Sequence, residues 1–236
     1  MPPESKTYLP GIPAYVVLRS SGKDCFLTDE DFQFFVDVLG QACARYEVQL
    51  HAYCLLSDRV HLLLTQEREQ FGIAEALDYV DRRFAVRMQQ GGYRGAPLDG
   101  PHQVTLIDAD RHLLNCYRQI ETLPVREKLC KAPEWYAWSS YGYHALGKRN
   151  SRISDHYLYL ALADNQASRC QRYRELSDEL IPEVEMRQIR EALVFGEPLG
   201  DERFRTQIKK AQARRSSSGF LSDSLSVAPS PRILRN

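Results

Sequence analysis

Residues 50–66 read Leu-His-Ala-Tyr-Cys-Leu-Leu-Ser-Asp-Arg-Val-His-Leu-Leu-Leu-Thr-Gln. Two apolar runs flank the polar pair Ser57-Asp58, which is the pattern of a tight hairpin between two buried strands. Within the first run His51 is the one strongly polar residue. The return strand opens with Arg59-Val60-His61. Side chains alternate along a strand, so Arg59 and His61 share one face and Val60 takes the other.

Working outward, Ala14 to Ser20 is β-branched and aromatic and predicts a strand. Thr28, followed by Asp29, Glu30 and Asp31, predicts a helix start. Phe32, Phe35, Val36, Leu39, Cys43 and Tyr46 continue it at helical spacing. After the hairpin, Ile73 to Met88 reads as a second amphipathic helix through Ala76, Leu77, Val80, Phe84 and Val86. Gln103 to Ile107 fits a short strand. Asp108 is placed to cap a third helix from Arg111 to about Leu123, with Pro124 as its stop. Strands interleaved with two helices predict an α+β fold, a ferredoxin-like antiparallel sheet with helices on one face. A helical extension is expected to follow it.

Composition sets bounds. The 236 residues suit one domain with an extension, and 43% hydrophobic content supplies a sizeable core. No run of eighteen apolar residues and no signal peptide is present, so a soluble cytoplasmic protein is expected. Cys25, Cys43, Cys54, Cys116, Cys130 and Cys170 form no CxxC pair, which argues against a zinc ribbon or a dense disulfide framework. The formal net charge is zero. Nucleic-acid binding would therefore depend on a local basic patch rather than on overall charge.

Two stretches carry a family likeness. The hairpin return strand is similar to that of the REP-associated tyrosine transposases, single-tyrosine enzymes of the HUH type, where histidine–hydrophobic–histidine holds a divalent metal. Residues 106–126, which include Cys116-Tyr117-Arg118-Gln119-Ile120-Glu121-Thr122-Leu123-Pro124-Val125-Arg126, resemble that family's nucleophile helix, Cys-Tyr-Arg-Tyr-Ile-Glu-Leu-Asn-Pro-Val-Arg. Pro10-Gly11-Ile12-Pro13, Trp138-Ser139-Ser140-Tyr141 and several segments beyond residue 145 are similar as well. The likeness spans roughly residues 9–215. It implies an N-terminal arm at 1–13, a transposase-like core at 14–142 and a helical extension at 143–215. The Ser- and Pro-rich residues 216–236 are expected to be a disordered tail.

The resemblance implies nicking and joining of single-stranded DNA through a phosphotyrosine, with Mg or Mn as cofactor. This chain departs from the pattern where the chemistry resides. Gln119 occupies the nucleophile position, and an amide forms no stable phosphoester. Arg59 and Leu123 replace two metal ligands, leaving His61; a guanidinium has no lone pair for a metal. Pro97-Leu98-Asp99-Gly100-Pro101-His102 stands where the family has Leu-Trp-Glu-Gly-Arg-Tyr.

Three readings follow. The first is a catalytically inactive relative, without a cofactor, that binds single-stranded or hairpin DNA. In it Arg59 either grips a phosphate bidentately or is a released position turned to solvent. Arg118, Arg126, Lys209, Lys210, Arg214 and Arg215 are further phosphate candidates. The second is an active transposase using Tyr117 as nucleophile with His51, His61 and Glu121 around a metal; otherwise Tyr117 is a core tyrosine. It lies about 200° around the helix from Gln119. The third is a protein-interaction module without DNA binding. No membrane partner is expected, and no feature decides the oligomeric state.

Overall fold

A computed structural model describes residues 8–69 and 71–223, with side chains to residue 215. Strand β1 (Ala14–Arg19), helix α1 (Asp29–Arg45), strands β2 (Val48–Leu56) and β3 (Arg59–Gln66), helix α2 (Ile73–Gln90) and strand β4 (Gln103–Leu106) come first. Helices α3 (Ala109–Glu121), α4 (Leu123–Arg126), α5 (Tyr141–Leu146), α6 (Tyr157–Leu160), α7 (Gln166–Asp178), α8 (Glu183–Phe195) and α9 (Glu202–Asp223) follow. The strands form one antiparallel sheet in the order β2-β3-β1-β4.

Alternation divides the sheet's side chains between two cores. Val16, Leu18, Val60, Leu62 and Leu64 meet Phe35, Leu39, Val80 and Phe84 of α1 and α2. This is the ferredoxin-like face expected from the sequence. Tyr15, Val17, Cys54 and Leu63 point the other way, onto Leu113, Tyr117 and Ile120 of α3 and Ile189 and Leu193 of α8. The sheet is therefore covered on both faces, and the cleft described below lies on the α3 side.

Local chemistry explains most of the element ends. The Asp31 carboxylate accepts from the Thr28 backbone N–H at 3.1 Å, closing the first turn of α1. Gln66 accepts from the Ile73 N–H at 3.1 Å and so ties the end of β3 to the start of α2. Asp108, the expected cap of α3, makes no side-chain cap bond and instead pairs with Arg111 at 3.3 Å. The α3 helix also ends earlier than expected. It stops at Glu121, and Pro124 falls inside the first turn of α4, where its missing N–H costs nothing. Val86 of α2 faces solvent rather than the core.

Two further features modify the sequence reading. Between Leu50 and Ala52 the β2–β3 register shifts by one residue, leaving His51 as a β-bulge. A bulge reverses the parity of a strand. Leu50 accordingly packs on the α1/α2 side, whereas Ala52 and Cys54 pack on the α3 side. Helix α9 runs to Asp223, past the Ser216 boundary where the sequence predicts a disordered tail, because adding a residue to an existing helix is cheap. The expectations for residues 1–7 and 224–236 lie outside the described residues. All six cysteines are free. No helix among the described residues is long and apolar enough to cross a membrane.

Candidate functional site

Helix α3 packs against β2 and β3, and the α4 turn follows it directly. A cleft of about 560 Å³ opens there, and Arg59, His61, Gln119, Leu123 and Arg126 all line it. Residues singled out on separate strands and helices thus meet at one place. Arg19 of β1, Glu127 after α4 and Arg190 of α8 complete its charged lining, with Val17, Leu193 and Val194 as apolar wall.

Arg59 is not turned loose into solvent. One guanidinium nitrogen contacts both oxygens of Asp58 at 2.9 Å, and another contacts Glu127 at 2.7 Å. Arg59 also lies directly opposite Arg19 in the β1–β3 pairing. Like charges facing each other across strands repel. Part of that charge is balanced by Asp58 and Glu127, and Arg19 leans on Gln103 at 3.3 Å. Arg126 spans the cleft wall, donating to the Gln119 carbonyl at 2.9 Å. Arg190 holds Glu183 at 2.8 Å.

His61 is 6% exposed, and its Nδ1 is 2.8 Å from the Tyr15 hydroxyl. Its Nε2 is buried and has no hydrogen-bond partner, as is Oε1 of Gln119. Burial, reinforced by Arg59, Arg19 and Arg126, pushes the His61 pKa down to about 3, so the ring is neutral. Two buried, unsatisfied polar atoms in one cleft are expensive unless something fills the space between them.

The alternative catalytic set is scattered. Tyr117 is fully buried among the rings of His144, Tyr159 and Tyr173. Burial, then the Glu121 charge, raises its phenol well above the usual range, which opposes ionisation to a nucleophile. Glu121 is equally buried. It accepts from Ser140, from His144 at 2.6 Å and from the Tyr173 hydroxyl at 2.6 Å. His51 sits at the other end of the sheet, bonded to Thr65 at 2.9 Å and to the Ser154 carbonyl at 2.8 Å. Thr65 lies four residues beyond His61 on β3, which is roughly 13 Å of strand rise. The second reading needed these four groups around one metal; Tyr117 and Glu121 share one buried cluster, whereas His61 lines the cleft and His51 is held at Thr65.

A divalent cation does not suit the cleft either. Its donor set is one imidazole, a guanidinium at Arg59, an alkyl chain at Leu123 and a carboxylate, Glu127, already paired with Arg59. Mg and Mn require several oxygen ligands. Among the described residues no group of three or more His, Cys, Asp or Glu side chains is placed to hold a metal.

The remaining predicted phosphate contacts divide. Arg118 is 3% exposed and faces the α7–α8 loop, bonded to Asn115 at 2.9 Å and to the Glu179 carbonyl. Its two terminal nitrogens are engaged by acceptors inside the protein, while its buried Nε has no partner. Lys209 pairs with Glu197 at 2.6 Å, Lys210 is exposed, and Arg214 and Arg215 border a separate groove against Leu9, Pro10 and Glu69. Arg215 donates there to the carbonyls of Tyr8 and Glu69.

Sequence reasoning missed Arg19, Gln103, Glu127 and Arg190. Pairing β1 with β3 in register would have placed Arg19 opposite Arg59. Nothing local marks Arg190, which tertiary packing of α8 delivers. The Trp138-Ser139-Ser140-Tyr141 segment proves to close the exposed edge of β2: Leu55 N–H donates to Trp138, and Ser140 exchanges backbone and hydroxyl bonds with Tyr53 at 2.9 Å. Covering an edge strand in this way prevents its pairing with other chains.

No family model matches the chain. No curated protein matches it. Among solved structures, a putative transposase from Deinococcus radiodurans R1 is 21% identical with a TM-score of 0.35, over 47% of this chain and 90% of that one. A REP-associated tyrosine transposase, solved bound to a REP hairpin, aligns with a TM-score of 0.51 at 12% identity, over 63% of this chain and 88% of its own. The chain has the fold of a REP-associated tyrosine transposase.

Proposed function

We propose that this protein binds DNA through strand phosphates in the Arg59 cleft and does not cleave it. The observation that carries the reading is convergence. Arg59, His61, Gln119 and Leu123, the four positions at which the resemblance places metal ligands and nucleophile, line one cleft together with Arg19, Arg126 and Arg190. Against the pattern that the resemblance implies, His61 is kept, while Arg59 supplies a cation, Gln119 an amide and Leu123 an alkyl chain. Guanidinium groups bind phosphate by charge-assisted hydrogen bonds and perform no phosphoryl transfer themselves. The buried placement of Tyr117 and Glu121 speaks against an active enzyme built on them.

The preferred ligand is a single strand or a hairpin with a single-stranded flank, because an isolated strand can pass its backbone through a cleft of this size. The test is a labelled hairpin incubated with the protein and Mn²⁺, followed in parallel by binding and by covalent adduct. Binding that weakens by about 0.7 log units per phosphate contacted for each tenfold rise in salt, with no adduct, is the expected result. An adduct that disappears in Tyr117→Phe overturns the reading in favour of an active transposase. Absence of binding at low salt overturns it in favour of a protein-interaction module.

A further inference from the structure

The cleft contains its own competitor. Four guanidinium groups line it, from Arg19, Arg59, Arg126 and Arg190, against the single carboxylate of Glu127. Asp58 grips one guanidinium nitrogen of Arg59 through both of its oxygens, whereas Glu127 takes a different nitrogen of the same fork. The two carboxylates therefore have separable roles. Asp58 precedes Arg59 in the chain and sets the direction of its side chain. Glu127 comes from the far wall and takes the second terminal nitrogen.

Glu127 is also well placed to leave. Its side chain is 44% exposed and makes one contact to Arg59, whereas Asp58, 40% exposed, makes two. The Arg59 fork is held while the carboxylate that satisfies it borders solvent. Around that pair stand Arg19, directly across the strand pairing, and the buried, unpartnered Nε2 of His61. The Tyr15 hydroxyl and His61 Nδ1 share one hydrogen bond, and in the tautomer in which the hydroxyl donates, the neutral ring carries a hydrogen on Nε2 that has no acceptor. A tetrahedral oxyanion supplies several acceptors at once, which one carboxylate does not.

We infer that Glu127 is a displaceable stand-in for phosphate: it occupies Arg59 in the unbound protein and swings out when a DNA backbone phosphate enters the cleft, leaving Asp58 to hold the guanidinium in place. The inference rests on the reading of this cleft as a phosphate site and adds to it a built-in brake on affinity. An exposed ion pair of this kind is modest in strength. Its loss also removes a negative charge facing the incoming phosphate.

The experiment compares wild type, Glu127→Gln and the double variant Glu127→Gln with Arg59→Gln as full-length chains. Two probes are used: anisotropy of a fluorescein-labelled DNA hairpin with a single-stranded flank, and the shift in Tm on adding inorganic phosphate. Glu127→Gln is expected to bind the hairpin about tenfold more tightly, with a steeper salt dependence, and to gain more Tm from phosphate than wild type does. The double variant is expected to lose both gains. A gain in binding cannot arise from misfolding, so the readout is protected from that artefact. Equal or weaker binding of both probes by Glu127→Gln overturns the inference and leaves the DNA-binding reading untouched. A phosphate gain without hairpin binding by any variant upholds the displaceable carboxylate and overturns DNA as its ligand.

Discussion

Replacing Glu121 with alanine separates the structural from the catalytic view of the α3 helix. Glu121 is completely buried and accepts three hydrogen bonds, from Ser140 at the start of α5, from His144 within it and from Tyr173 of α7. Alanine strands these donors in a space without water. Each stranded buried donor costs about 1–3 kcal/mol, moderated by local collapse, and breaking a buried charged network by removing one partner typically costs about 3–5 kcal/mol. For a chain of this length 1 kcal/mol moves Tm by about 2–4 °C, so a fall of roughly 6–20 °C is expected. Differential scanning calorimetry measures it. Glu121→Gln is expected to fall less, since the amide keeps an acceptor for one side of the network and offers its NH₂ to the Tyr173 hydroxyl. Hairpin affinity measured well below Tm is expected to match wild type, because Glu121 is not in the cleft lining. A Tm change below about 2 °C, or a loss of hairpin binding at full folding, would refute the assignment of Glu121 to the core.

Other expectations follow from the same geometry. Tyr117→Phe keeps the packed ring and is expected to leave both Tm and hairpin affinity near wild type, with no adduct formed by either protein in Mn²⁺. Arg118→Ala and Arg126→Ala are predicted to part company: the first lowers stability by about 1–3 kcal/mol by stranding the Glu179 carbonyl with little change in affinity, whereas the second weakens hairpin binding and reduces the salt slope. Acidification tests the buried imidazoles. Burial lowers His61 to about 3 and His51 to about 4, below the ordinary value of 6.5. The unfolded chain therefore binds more protons than the native one between these limits. The stability contributed by keeping both rings neutral is complete above pH 6.5 and is lost as pH falls toward the folded values. Tm measured from pH 7 to 4 should decline, and His51→Asn, which retains a polar partner for Thr65, should flatten the slope.

How much of this was legible beforehand depends on the range of the interaction concerned. The hairpin was readable from two apolar runs around Ser57-Asp58, and β3 begins at Arg59 as that reading requires. The helical angle between Tyr117 and Gln119 likewise anticipated that one would face the core and the other would not. His51 was misleading because its β-bulge is set by how β2 registers on β3, not by its neighbours in sequence. Arg118 carried the charge of a phosphate ligand, yet the α7–α8 loop folds over it.

The sequence by itself determined the order of strands and helices and the sharing of one sheet face by Arg59 and His61, because backbone periodicity is local and repeats every two residues in a strand and every 3.6 in a helix. It also limited the chemistry available at two positions, since Gln119 carries no hydroxyl and Leu123 no metal donor in any conformation. Tertiary structure alone decided that Arg19, Arg126 and Arg190 join Arg59 in a common cleft, that Glu127 reaches its guanidinium, and that Glu121 is consumed by Ser140, His144 and Tyr173. Those contacts join residues 19 to 68 positions apart, or elements set side by side only by packing, and no local preference encodes them. They exist because burying both faces of the sheet forces α3, α4 and α8 onto the same side, where their polar residues must find partners or a ligand.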